Sequence, residues 1–194
     1  MLFRSNTVFD SNEADKNGGA VCAGSGYDIR LRNNTISSNT ADYGSAVYIG
    51  DGTHLTVTDG SISGNRAAAD EGGAINGNGS EYKYFFLGSP VIYNNYGSSG
   101  ISQKNVVLSL DSNEVINTTD AGLSSRARIG VYVIDEHLAG HGVGGTPFGT
   151  FEDPDNTILA SFKNDRNADL YGVRNEDDDE DYYIYWSRDR KSVV

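Results

Sequence analysis

Apolar and polar positions in the first hundred residues fall into one pattern that is written four times. The copies are Leu2 to Asn12, Ile29 to Asn39, Leu55 to Asn65 and Phe85 to Asn95. The first position is apolar in each, and so is the eighth, as Phe9, Ile36, Ile62 and Ile92. The third reads Leu31, Val57 and Leu87, with Arg4 the exception. Three residues after the eighth position stands asparagine every time, Asn12, Asn39, Asn65 and Asn95, at intervals of 27, 26 and 30 residues. Two residues further comes Ala14, Ala41, Ala67 or Gly97. Three copies are followed by a small-residue element: Gly18-Gly19-Ala20-Val21, Gly44-Ser45-Ala46-Val47 and Gly72-Gly73-Ala74-Ile75. One structural unit recurring at such a period indicates a solenoid.

What each unit contains selects the kind of solenoid. Helical repeats need amphipathic stretches of ten or more residues, and none is present. Short alternating runs such as Ile29-Arg30-Leu31 and Leu55-Thr56-Val57, broken by Gly, Asn, Asp and Ser, are strand and turn signals. Three short strands joined by tight bends make one turn of a coil whose strands stack in parallel. The expected fold is therefore all-β, a short right-handed parallel β-helix of three to four turns. Turns about 4.8 Å apart let asparagine amides in equivalent bends bond up the stack. Alternation puts Val21, Val47 and Ile75 inside and the varied column Cys22, Tyr48 and Asn76 outside. In the fourth copy it puts Phe85 and Leu87 in the core and leaves Tyr84 and Phe86 facing outward.

Two stretches carry a resemblance. Ile36-Ser37-Ser38-Asn39-Thr40-Ala41 with Gly44-Ser45-Ala46-Val47, and Ile62-Ser63-Gly64-Asn65-Arg66-Ala67 with Gly72-Gly73-Ala74-Ile75, resemble the FxxN and GGAI repeats of the polymorphic outer-membrane protein type. Such repeats also occur in large repeat-rich surface proteins of gut Gram-positive bacteria. The resemblance covers about half the chain and implies an extracellular, cell-attached, non-enzymatic bacterial protein, often an adhesin. The fourth copy departs from it, because Asn95-Tyr96-Gly97-Ser98-Ser99-Gly100-Ile101 lacks the Gly-Gly-Ala element.

That departure sets the expected domain boundary, with β-helix repeats over residues 1–103 and a β-rich C-terminal cap region over 104–194. Strand-like runs fill the second part, among them Asn105 to Leu110, Arg128 to Ile134, Ile158 to Phe162, Leu170 to Val173 and Tyr182 to Trp186. A coil needs its last rung covered, because open strand edges invite pairing with other chains. The same argument leaves the N-terminal turn open to self-association. Residues 1–6 read as neither a signal peptide nor a cap, and residues 188–194 carry no wall-sorting motif. The chain is thus expected to be a segment of a longer exported surface protein.

Charge narrows the partners. With 15 basic against 27 acidic residues the net charge is −12, and nucleic acid and anionic membranes are expected to be repelled. No apolar run approaches the roughly 20 residues of a membrane-spanning helix, so membrane insertion is not expected. The single cysteine, Cys22, rules out an internal disulfide framework and reads as a bystander.

Candidate chemistry is sparse, and no catalytic, cofactor-binding or metal-binding residue is assigned. His137 and His141 lie four apart, but Gly140, Gly142, Gly144 and Gly145 argue against the helix that would align them on a metal. His54 follows a Gly-rich turn and reads as an exposed loop residue. The acidic run 176–181 offers carboxylates for Ca²⁺ but lacks the order of a dedicated Ca²⁺ loop, and reads first as a solvated hairpin tip. Aromatic clusters at 82–86 and 182–186 offer recognition surfaces. The expected function is structural display or adhesion through binding of glycan or host matrix. The alternatives are a carbohydrate-active β-helix enzyme, which would need paired carboxylates in a groove, and a ligand-free stalk or spacer.

Overall fold

A computed structural model describes residues 5–78, 83–109, 116–118, 122–134, 148–151, 159–166, 171–176 and 182–187. Residues 1–4 of the first repeat copy, the Gly-rich loop with His137 and His141, and the acidic run after Glu176 lie outside the described residues.

The chain coils as a parallel β-solenoid. Its first described turn holds β1 (Val8–Asp10) and β2 (Val21–Ala23). The second holds β3 (Asp28–Arg32), β4 (Thr35–Ser37), β5 (Thr40–Ala41) and β6 (Val47–Ile49). Its counterparts in the third are β7 (His54–Thr58), β8 (Ser61–Ser63), β9 (Arg66–Ala67) and β10 (Ile75–Gly77). The fourth holds β11 (Lys83–Leu87), β12 (Val91–Ile92) and β13 (Val106–Leu108). Strands in equivalent positions pair in parallel from turn to turn, as β3 with β7 and β7 with β11, β4 with β8 and β8 with β12, and β6 with β10 and β10 with β13. This is the short parallel β-helix that the repeat predicts.

Alternation along each strand puts every second side chain inside, so the core is a set of stacked columns. Ile36, Ile62, Ile92 and Ile129 form one, and Val47, Ile75, Val106 and Val131 form another; all eight are buried. Each such side chain contributes about 1.5–3 kcal/mol of burial. Val21, Val47 and Ile75 point inward as expected, and Cys22 is exposed. Asn76, expected outside, is buried: its oxygen accepts the N–H groups of Gly44 and Gly73, and its amide donates to the Glu71 carbonyl.

The asparagine column is a hydrogen-bonded ladder. Asn39 donates its side-chain amide to Asn65 Oδ1 at 2.8 Å and its backbone N–H to the same oxygen at 3.0 Å. Asn12 makes the same pair of bonds to Asn39, and Asn65 to Asn95. The second amide proton goes back one turn, to the carbonyl of Phe9, Ile36 or Ile62. The residue before each asparagine makes this possible by adopting positive φ, as Ser11, Ser38, Gly64 and Asn94. The bend thereby turns the asparagine N–H and amide toward the next rung.

One register in the fourth copy differs from the sequence reading. Tyr84 pairs with Leu55 and Phe86 with Val57, so Tyr84 and Phe86 are fully buried while Phe85 and Leu87 face outward. The bend before the next strand explains it. Asp59 and Gly60 span the gap between β7 and β8, whereas Gly88, Ser89 and Pro90 span that between β11 and β12. Counting back from Asn95 therefore misplaces β11 by one residue, and a shift of one moves every side chain to the other face.

Residue 103, the expected boundary, is not where the stacking stops. β14 (Ile116–Thr118) pairs in parallel with β11, and β16 (Gly149–Phe151) with β14. β15 (Arg128–Val133) lies on β12 through Arg128 and Ile129 and on β13 through Val131 to Val133, and β17 (Phe162–Asn164) lies on β15. A single residue, Gly130, thus replaces the excursion that separates β4 from β6 in the second turn. A Cβ at Gly130 would run into the Asn105 amide and the Asp165 carboxylate. Those two residues continue the ladder. Asn95 donates to Asn105 Oδ1 at 2.7 Å, and Asn105 donates its N–H and its amide to the two carboxylate oxygens of Asp165 at 2.7–2.9 Å. A carboxylate accepts and does not donate, so the ladder ends there.

Beyond β16 the pairing turns antiparallel: β19 (Tyr182–Ser187) adds to the edge of β16, and β18 (Tyr171–Glu176) pairs with β19. Ile184 and Trp186 are buried on the last rung, and Trp186 stacks on Phe148 at 4.2 Å between ring centres. At the other end β1, β2 and β3 each stand last in their sheet.

Two outcomes follow from the ladder. Asn65→Asp removes the side-chain donor to Asn95 and places a charge between buried neighbours, and should lower stability by roughly 3 kcal/mol or more; an unchanged chemical-denaturation midpoint would contradict the ladder. Burial pushes the Asp165 carboxyl from its ordinary 3.8 up to about 6, against the Asn105 donors that favour the charged form. Across that window the folded state holds the proton longer than the unfolded chain, so this group's contribution is greatest at low pH and declines as pH rises. Relative to Asp165→Asn, which cannot titrate, the parent protein should lose up to about 3 kcal/mol from below the window to above it. Parallel denaturation curves for the two proteins at every pH would contradict this.

Candidate binding surfaces

The ladder is not a ligand site. Asn39, Asn65 and Asn95 are fully buried, and their amides are used within the coil. Side chains open to solvent stand instead on the outward columns and in the bends.

Two residues of the column expected to face outward, Tyr48 and Asn76, border a groove. About 400 Å³ of space lies against β6 and β10, bounded by Asn17, Tyr43, Tyr48, Glu71, Asn76 and Asn78. Tyr48 and Asn76 are neighbours in register on adjacent turns, and so are Asn17 and Tyr43. Stacking thus assembles two tyrosine rings, two exposed or half-exposed asparagines and one carboxylate from three different turns. Tyr43 and Glu71 come from the bends that lead into β6 and β10, where the repeat leaves sequence free to vary. Asn76 shapes the groove from beneath, since both ends of its side chain are bonded to backbone.

Beside this groove a lysine is held within the coil. Lys104 is 8% exposed, donates to the Asp70 carbonyl and lies 4.6 Å from the centre of the Tyr132 ring. Burial lowers its pKa, opposed by the Asp70 carboxylate. The Arg166 guanidinium lies 5.5 Å from the same ring and donates to the carbonyls of Val133 and Ile134. Both cations fasten the turn that β15 shortens.

His54 is the first residue of β7, on a strand where a loop was expected. Its side chain faces outward, 3.2 Å from the Asp28 carboxylate one turn below, and its ring meets the edge of Phe85 one turn above. The aromatic surface expected at Tyr84 and Phe86 is replaced by the half-buried Phe85. Burial of alternate side chains in β11, visible only once the register is fixed, identifies it. Among the described residues no cluster of three metal-ligating side chains occurs, and no helix is long and apolar enough to cross a membrane.

No protein-family model, no curated protein and no solved structure matches the chain significantly.

The register assignment has a direct test. Phe86→Ala should cost about 3–5 kcal/mol, as for a large side chain deleted from a packed core, while Phe85→Ala should cost about 1 kcal/mol or less. Equal losses, or the reverse order, would contradict the inward direction of Phe86.

Proposed function

We propose that this chain is a non-enzymatic display segment of a bacterial cell-surface protein that binds glycan through the groove beside Tyr43 and Tyr48. The observation that carries the reading is the groove's lining, which joins two tyrosine rings to side-chain amides. Aromatic faces take the apolar faces of sugar rings, and amides and phenol hydroxyls exchange hydrogen bonds with sugar hydroxyls. Glu71 is the one carboxylate among the groove's described residues, whereas hydrolysis of a glycosidic bond ordinarily uses two at a set separation. The likeness of the Asn39 and Asn65 repeats to those of bacterial surface proteins supports the same reading. A stack of rigid turns suits display, because it presents its side chains on rungs whose spacing the backbone fixes.

The experiment is retention of the purified chain on an array of glycans and host-matrix polymers, with product analysis of any polysaccharide it retains. Retention without cleavage is expected, and Tyr48→Ala should weaken it about tenfold while leaving the thermal midpoint in place. Shortened polysaccharide products would overturn the non-enzymatic reading. Retention of every neutral glycan indifferent to Tyr48→Ala would remove the groove from it.

A further inference from the structure

A second surface, on a different sheet of the coil, differs from the groove in charge. β3, β7 and β11 form a three-strand patch whose pairing is continuous over five positions. Outward side chains stand on it as a grid, with turns about 4.8 Å apart and alternate residues about 7 Å apart along each strand. One column runs Arg30, Thr56, Phe85 and a second Arg32, Thr58, Leu87. The third runs Asp28, His54, Lys83, in which Asp28 and His54 contact each other.

The charge on this grid runs against that of the chain. The protein carries −12 overall, and residues 1–100 hold 6 basic against 10 acidic side chains. Three of those six, Arg30, Arg32 and Lys83, are exposed on this one patch, which holds a single carboxylate, Asp28. Further acids, Asp51 and Asp59, lie at the bends beside β7, and the Asp59 carboxylate accepts the Ser89 N–H. An excess of positive charge concentrated on one sheet face of an acidic protein selects an anionic partner by charge complementarity. The rest of the grid indicates which. Thr56 and Thr58 present hydroxyls between the cations, and Phe85 offers a half-buried ring beside His54. Hydroxyls and an aromatic face suit sugar rings, and side chains repeated on consecutive rungs suit an extended chain.

We infer that the outward face of β3, β7 and β11 binds an anionic polysaccharide, with Arg30, Arg32 and Lys83 holding its sulfate or carboxylate groups and Phe85 stacking on a sugar ring. Guanidinium groups pair with either anion through two parallel hydrogen bonds, so sulfated and uronate-bearing chains share the recognition chemistry. Opposition between the patch and the acidic remainder orients the polymer. Phosphate-bearing double helices are wider and bring more negative surface against the acidic flanks than a single glycan strand does.

The test is binding of the intact chain to a heparin oligosaccharide and to hyaluronan, with dextran as the uncharged control and duplex DNA as the competing polyanion. At least one of the first two should bind more tightly than dextran and DNA, with affinity falling as salt is raised. Tighter binding of heparin assigns sulfate, and tighter binding of hyaluronan assigns carboxylate. Arg30→Gln, Arg32→Gln and Lys83→Gln together should weaken binding about tenfold and flatten its salt dependence. Lys16→Gln, Arg126→Gln and Lys163→Gln together change net charge equally away from the patch and should leave affinity within about twofold. Binding no tighter than to dextran, duplex DNA binding as well as either glycan, or equal losses in the two triple variants would each overturn the inference. Tyr48→Ala should leave this binding unchanged, which separates it from the groove.

Discussion

Asn39 and Asn65 each give one amide proton forward to the next turn and the other back to the turn before, and the coil depends on this two-way bond. Three neighbouring turns are joined through one side chain, at a bend where the backbone would otherwise leave polar groups buried and unpaired. The ladder also has a direction. Donors point from Asn12 toward Asp165, and a carboxylate at the far end receives two kinds of donor and passes none on. Parallel strands and apolar columns supply most of the burial. The ladder fixes which rung lies over which, so the outward grids inherit their register from it.

Much of this architecture is legible in the sequence because the same residue recurs at nearly the same interval. Asn39, Asn65 and Asn95 announce the period, and polar alternates such as Arg30 and Thr56 pin the inward frame of β3 and β7. Legibility fails where those conditions lapse. Tyr84-Phe85-Phe86-Leu87 is apolar in both frames, and one additional bend residue shifts the spacing, so alternation alone selected the wrong pair. Asn105 and Asp165 belong to the ladder but stand 10 and 60 residues from the neighbours they bond, which no fixed period reveals. Stacking therefore continues beyond the end of the recognisable repeat. Asn76 shows a different failure: a polar residue on an outward column was drawn into the wall by unpaired N–H groups of the adjoining bends.

The surfaces follow from the same construction. A solenoid places residues that are 26 to 30 apart in sequence next to one another, so recognition groups converge without proximity along the chain. Tyr43 and Tyr48 meet Asn17 and Asn78 in this way on one flank, and Arg30 and Lys83 share a face on another. Only the second surface departs in sign from the charge of the whole protein. The β11 register completes that surface by turning Phe85 outward beside the cations.

Native-state hydrogen exchange of the backbone N–H groups of Asn39, Asn65 and Asn95 tests the central claim most directly. Each donates to the oxygen of the next asparagine in the ladder. If the ladder holds the coil in register, these three protons should exchange only when the whole coil opens, at the free energy of global unfolding. Exchange of any of them at the rate of a local bend opening, while the apolar strands stay protected, would contradict it.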